Sequence, residues 1–283
     1  MGYARRGLRA AATARREAAF RAWAARFDFE LRRRGSRLVL DCDGAPTWET
    51  PPSLEPIAHR PSAPKKGSRP VFTLRVGKDV HLGRGLTIEY RDDGHNLLEL
   101  GDGVHLQDGN RFVLADGRIS FGARGRLRAG SILKSSGDLL IGEQVILAYH
   151  CVVHCAERIE LHDLVGISDR STIVDSSHTI DGSDTYYYEQ PITTTPVVLE
   201  RNVIVSANVM VLRGAHVERN AQLAGFSMVL KGRYPAGWLI AGNPAVPLKP
   251  LGPSAREWSP GESADHAPPK RLVVPERRGA VAV

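Results

Sequence analysis

Residues 199–231 read LERNVIVSANVMVLRGAHVERNAQLAGFSMVLK and repeat every six residues. Leu199, Val205, Val211, Val217, Leu223 and Val229 open successive hexads, and Val203, Val209, Ala215, Ala221 and Ser227 follow four positions later. Glu, Arg, Asn, His and Gly fill the places between. A helix repeats its apolar positions about every 3.6 residues and a half-buried strand about every two, so a period of six belongs to neither. Each hexad reads as one short strand and a corner, with one aliphatic side chain turned into a shared core. Repetition of this kind implies a solenoid.

The same spacing recurs upstream in Val76, Leu82 and Ile88, in Leu100, Leu106 and Phe112, in Phe121, Leu127 and Leu133, and in Ile141, Leu147, Val153 and Ile159. The frame then slips by two, to Leu161, Ile167 and Ile173, as a bulged corner would make it do. After His178 the pattern stops until Leu199. The solenoid is therefore expected over residues 71–250, with an insertion at 179–197; a long insertion in a regular repeat is often functional.

Composition agrees with tight corners around a Val, Ile, Leu and Ala core: 42% of residues are hydrophobic, only 6% are aromatic, and 28 are glycine. Three cysteines, an odd and sparse set, suit a reducing compartment. No stretch has the roughly 20 apolar residues of a membrane span, and no apolar core of a signal peptide is seen. A cytoplasmic location follows as the expectation, at the inner membrane face if the N-terminal arm touches lipid.

That arm, residues 1–37, holds eleven arginines against Glu17, Asp28 and Glu30; its balance of +8 exceeds the +7 of the whole chain. Residues 3–34 read as one amphipathic helix with Leu8, Ala12, Phe20, Trp23, Phe27 and Leu31 near one face. It suits packing on the body or a neighbouring subunit, with an anionic membrane surface as the alternative. No recognition motif accompanies the arginines, so nucleic acid is not expected. Residues 38–70 are rich in Pro and read as a linker or cover segment, and 251–283 as a Pro-rich C-terminal tail.

Three landmarks in order, VDSSHTI ending just past His178, the hexads from Pro196 to Asn220, and AGNPAVPL at 241–248, resemble the hexapeptide-repeat acyltransferases. The nearest likeness is to the sugar O-acetyltransferase branch that includes maltose, galactoside and capsule acetyltransferases, and it is best from about Ile141 to Leu248. The resemblance implies an all-β solenoid, a left-handed parallel β-helix, flanked here by the N-terminal helix and the C-terminal tail. It implies an acetyltransferase that moves an acyl group from acetyl-CoA to a hydroxyl of a saccharide or polysaccharide precursor, with no metal, in a homotrimer. The histidine at the position of His178 would be the general base, suited by an unperturbed pKa near 6.5. Asp175 is the candidate for its second ring nitrogen, with Asp181 next.

For the donor groove the resemblance implies Ala207, Gly225, Ser227, Lys231, Arg233, Asn243 and Pro244, with Lys231 or Arg233 meeting phosphate. Asp181, Tyr187 and Glu189 of the insertion suit an acceptor sugar; a subunit contact is the other use of such aromatics. The chain departs from the family pattern at Ile204-Val205-Ser206, at Ala224-Gly225-Phe226 and at Leu230-Lys231. A catalytically inactive trimeric scaffold is therefore the alternative function.

His150, Cys151, His154 and Cys155 are all potential zinc ligands. Cys151 is assigned to the inward column and Cys155 to the outer face, so they would not converge on one ion. The zinc-dependent carbonic anhydrases of the same fold space their histidines differently.

Overall fold

The computed structural model describes residues 2–58, 70–253 and 255–257. Three long sheets of nine, ten and eight strands run side by side, and each coil contributes one strand to each. Within them all neighbours pair in parallel except the last, where Trp238–Gly242 meets Ala245–Pro250 antiparallel. The inward column of 199–231 is sealed: Leu199, Val205, Val211, Val217, Leu223 and Val229 are all 0% exposed. These side chains join one continuous core that reaches from Phe20 to Ala245.

Coil length explains the slipped frame. Leu199 lies over Val217, 18 residues apart, as three hexads require. Ile141 lies over Leu161 and Phe121 over Ile141, 20 apart in each case. The two extra residues extend the corner between the third sheet and the first, so the side-chain alternation on the strands is preserved. At Leu161 over Leu199 the step grows to 38, because the insertion leaves from that corner.

The solenoid begins earlier than the hexad count implies. Strands Leu38–Cys42, Thr47–Trp48 and Ser53–Pro56 pair with Val71–Val76, His81–Leu82 and Thr87–Tyr90 and form a first coil where a linker or cover segment was expected. Its inward residues Cys42, Trp48 and Leu54 are six apart, but Cys and Trp do not read as aliphatic knobs and Pro46, Pro51 and Pro52 obscure the corners. Residues 59–69 of the expected linker lie outside the described residues. At the other end Leu251 and Arg256 dock on the last coil, where the Arg256 carbonyl accepts from Trp238 Nε1 at 2.8 Å; most of the tail lies outside the described residues.

Helix Gly2–Arg33 lies against the first coil. Gly35, at φ +83°, ends it in the left-handed conformation that glycine adopts without strain. Phe20, Ala24, Phe27 and Leu31 are buried, and Phe27 meets Phe72 and Tyr90 edge-on at 4.9 and 5.3 Å. Trp23 donates to the Pro52 carbonyl at 3.0 Å. The C-terminal half of the apolar stripe, from Phe20 to Leu31, thus closes the open end of the core, while Ala12 is exposed and the side chain of Leu8 lies outside the described residues. The arginines at 15, 21 and 26 face solvent.

Cys155 corrects its expected place. It shares the inward face with Val153, because alternate residues of a strand point the same way, and both it and Cys151 are 0% exposed. Burial pushes the Cys151 thiol up to about 11, with smaller opposing contributions from backbone hydrogen bonds. His154 lies on the outer face and His150 on a corner at φ +56°, so the two thiols and the two imidazoles still do not converge. Among the described residues no group of three His, Cys, Asp or Glu could hold a metal.

Two predictions follow from the packing. Phe27→Ala should cost about 3–5 kcal/mol in urea unfolding, the usual loss for an emptied aromatic site; an unchanged midpoint would mean the helix does not close the core. His105 and His154 are both held below the ordinary histidine value of 6.5, chiefly by burial; His81 and Arg126 add to the first and Lys134 to the second, against Asp175. Their neutral forms therefore contribute stability that is complete above the unfolded value and is lost as pH falls below it. The melting temperature should drop between about pH 7.5 and about pH 5.5, and a His105→Asn/His154→Asn variant should flatten that drop.

Candidate active site

Strand Ser176–His178 leaves the corner after the sixth coil and pairs antiparallel with Ile192–Thr194. This ribbon belongs to none of the three sheets. Thr179 N donates to the Pro191 carbonyl at 2.8 Å, and the Thr179 and Thr193 hydroxyls are 2.6 Å apart. Beyond it the loop is ordered by Gln190, only 7% exposed, whose Oε1 accepts from the Asp181 amide and whose Nε2 donates to the Thr185 carbonyl. A single 3-10 turn, Tyr187–Glu189, then brings two tyrosines onto His178.

The Tyr187 ring meets the His178 imidazole edge-on at 5.4 Å and the Tyr188 ring lies tilted at 5.7 Å. Tyr186, Tyr187 and Tyr188 are all exposed. The imidazole is half-buried, and its Nδ1 is buried with no hydrogen-bond partner among the described residues. Among the described residues no hydrogen bond to Nδ1 therefore sets which nitrogen carries the proton.

Asp175 was expected to meet His178 and does not. It is 0% exposed, and its carboxylate accepts from the amides of Ala156, Glu157 and Arg158 at 2.7, 2.8 and 2.7 Å. Three donors converge there because the corner of the coil below leaves its amides without ladder partners. Asp181 instead accepts from the Ser183 amide at 2.9 Å, which holds its carboxyl below the usual range. Glu189 is exposed in the 3-10 turn.

The predicted donor residues divide. Ala207 and Gly225 stack on one corner, where Phe226 N donates to the Ala207 carbonyl at 3.2 Å. A Cβ on Gly225 would meet only that carbonyl, at 3.3 Å, so the corner is bare. Asn243 and Pro244, joined by a cis peptide, are exposed in the turn closing the last hairpin. Lys231 is exposed, and its stem crosses Gly214.

Two expectations in this group are corrected. Ser227 points inward, 2% exposed, and its Oγ accepts from the Gly242 amide at 3.2 Å. Arg233 is engaged: Nε donates to Glu218 Oε1 at 2.5 Å and Nη1 contacts His216 Nδ1 at 3.2 Å. His216 bonds Glu200 at 2.7 Å. Burial would raise Glu200, but His216, the Arg219 amide and the nearby Arg233 charge outweigh it and hold the carboxyl below its usual value. An arginine in such a network has little left for a phosphate.

Phe226 is 80% exposed at φ +61°. The same left-handed corner position holds Gly85, Gly109 and Gly130 in the earlier coils and His150, Arg170 and Asn208 in the three coils before it, so Phe226 is set apart by its exposed aromatic ring and not by its backbone. Gln190, which organises the loop through both ends of its amide, carries no signal in the sequence. A cavity of about 490 Å³ opens along a different corner, lined among others by Arg75, Glu99, Ser120 and Glu143, and holds none of the predicted site residues.

No family profile matches the chain. Over 170 residues, 60% of this chain, it is 26% identical to a probable acetyltransferase of Mycobacterium tuberculosis, and the chain spans about half the length of that curated relative. Among solved structures it is similar to the N-acyltransferase AntD of Bacillus cereus in complex with dTDP and coenzyme A, at 16% identity over 59% of this chain and 78% of that one, TM-score 0.41. A maltose O-acetyltransferase of Clostridium difficile is 18% identical over 63% of this chain and 70% of its own, TM-score 0.37.

Asp175→Asn keeps one acceptor oxygen for three amides and should cost about 1–3 kcal/mol in urea unfolding; no loss would contradict the structural role given to this carboxylate. In sequence the chain is similar to a probable acetyltransferase, and its coils form the parallel solenoid that a six-residue repeat requires.

Proposed function

We propose that the protein is an acyl-CoA-dependent O-acyltransferase, with acetyl-CoA as donor and a saccharide or polysaccharide hydroxyl as acceptor. The observation that carries this is the half-buried His178 on a ribbon outside the sheets, flanked by the exposed rings of Tyr187 and Tyr188. Aromatic faces beside an imidazole suit a sugar, whose ring carries apolar faces and hydroxyls together. Asp181 and Glu189 are exposed in the same loop and can accept from further hydroxyls.

In the proposed reaction the acceptor oxygen attacks the thioester carbonyl while its proton passes to an imidazole nitrogen of His178. The carbon–sulfur bond then breaks, the acyl group stays on the oxygen, and the thiolate takes up the proton. The bare Ala207–Gly225 corner suits the pantetheine arm, and Lys231 is the remaining cation for phosphate. Support for a homotrimer comes from Ile146, Ile204 and Met210, apolar residues exposed on the outer faces of the solenoid. Three free cysteines suit a cytoplasmic setting.

The scaffold alternative has one observation in its favour, the bulky and exposed Phe226 beside the donor corner. His178→Ala should lower acceptor-dependent release of coenzyme A about a hundredfold or more while leaving the circular dichroism unchanged. Equal activity in the variant would remove the base role. A failure of acetyl-CoA to bind by calorimetry would favour the scaffold.

A further inference from the structure

The ribbon carrying His178 has three residues per strand, and a lone pair of such strands is marginal in water. Something must hold it to the solenoid. Two backbone bonds do part of this: Thr195 N donates to the Asp175 carbonyl at 2.9 Å, and Gly214 N donates to the Thr195 carbonyl at 3.0 Å. A side chain of the next coil also reaches the ribbon. Arg213 Nε donates to Ser177 Oγ at 3.0 Å.

We propose that Arg213 is a positioning residue, which sets the place of His178 by clamping Ser177. Ser177 and His178 are neighbours on one strand, so their side chains point to opposite faces. Arg213 therefore grips the back of the ribbon and leaves the imidazole face clear. The guanidinium is half-buried, makes no ion pair with a carboxylate among the described residues, and donates to the ribbon. The corner forms because Gly214, at φ +78°, turns the chain immediately after Arg213 and the Lys231 stem packs against it. A planar guanidinium donates along fixed directions, which a flexible ammonium does not reproduce.

The catalytic arm of this proposal rests on the acyl transfer proposed above; a second arm does not. Chymotrypsin cleaves after aromatic residues, and Tyr186–Tyr188 lie exposed at the ribbon's far end. Arg213→Ala and Ser177→Ala should each speed nicking there severalfold in the full chain, and the double variant should be no faster than either single one. In turnover, Arg213→Ala should lower kcat about tenfold with the KM for acetyl-CoA within about twofold, and Arg213→Lys should recover part of the loss. A merely structural role would not divide kcat from KM in this way. Unchanged nicking and unchanged kcat in Arg213→Ala would overturn the proposal. If the wild type releases no coenzyme A with any acceptor, the acyl-transfer reading fails, and nicking alone then decides whether Arg213 holds the ribbon.

Discussion

Everything in this molecule depends on one coil lying directly over the next. Parallel strands stack about 4.8 Å apart, so each coil must repeat its neighbour's path closely. The inward aliphatic column satisfies that from within. At the corners a row of carboxylates does it from without: Asp102, Asp108, Asp163 and Asp169 accept from the amides of Lys78, Arg84, Glu143 and Tyr149 on the preceding coil. A Cβ on Gly142 would lie 2.6 Å from the Asp163 amide, which shows how little room the stacking leaves. Asp175 does the same at the remaining corner, between the third sheet and the first, and there it binds three amides.

The candidate site is where that stacking is interrupted. His178 lies three residues after Asp175, on chain that has left the three sheets, so a buried structural carboxylate precedes the imidazole it was expected to join. The coil resumes at Val197 and covers Ile159 in register. A site built on an interruption gains a half-buried imidazole among exposed tyrosines and has to be anchored from outside the sheets. The donor corner is the reverse case, a regular corner made bare by Ala207 and Gly225.

Much of the fold was legible because the six-residue period is enforced by stacking at every coil. The first coil was hidden by chemistry and not by geometry, since Cys42 and Trp48 occupy knob positions usually filled by aliphatics. His178 stood out by its place at the break in the repeat. Tyr187 of the insertion stood out with it and meets its ring, but the partner expected for its second nitrogen did not hold, because Asp175 sits close in sequence but faces the coil beneath, and sequence distance carries no direction. Ser227 and Arg233 were misassigned for a related reason: a serine in the small inward column and an arginine beside two acids are each claimed by neighbours 15 residues away.

The central claim is that the His178 ribbon and the bare Ala207–Gly225 corner serve one reaction. A crystal structure of the protein with coenzyme A bound tests it most directly. The claim requires the sulfur end beside His178 of the same or an adjacent chain, with the pantetheine arm along Ala207 and Gly225. Coenzyme A in the cavity lined by Arg75 and Glu99, or bound with its sulfur remote from every His178, would contradict it.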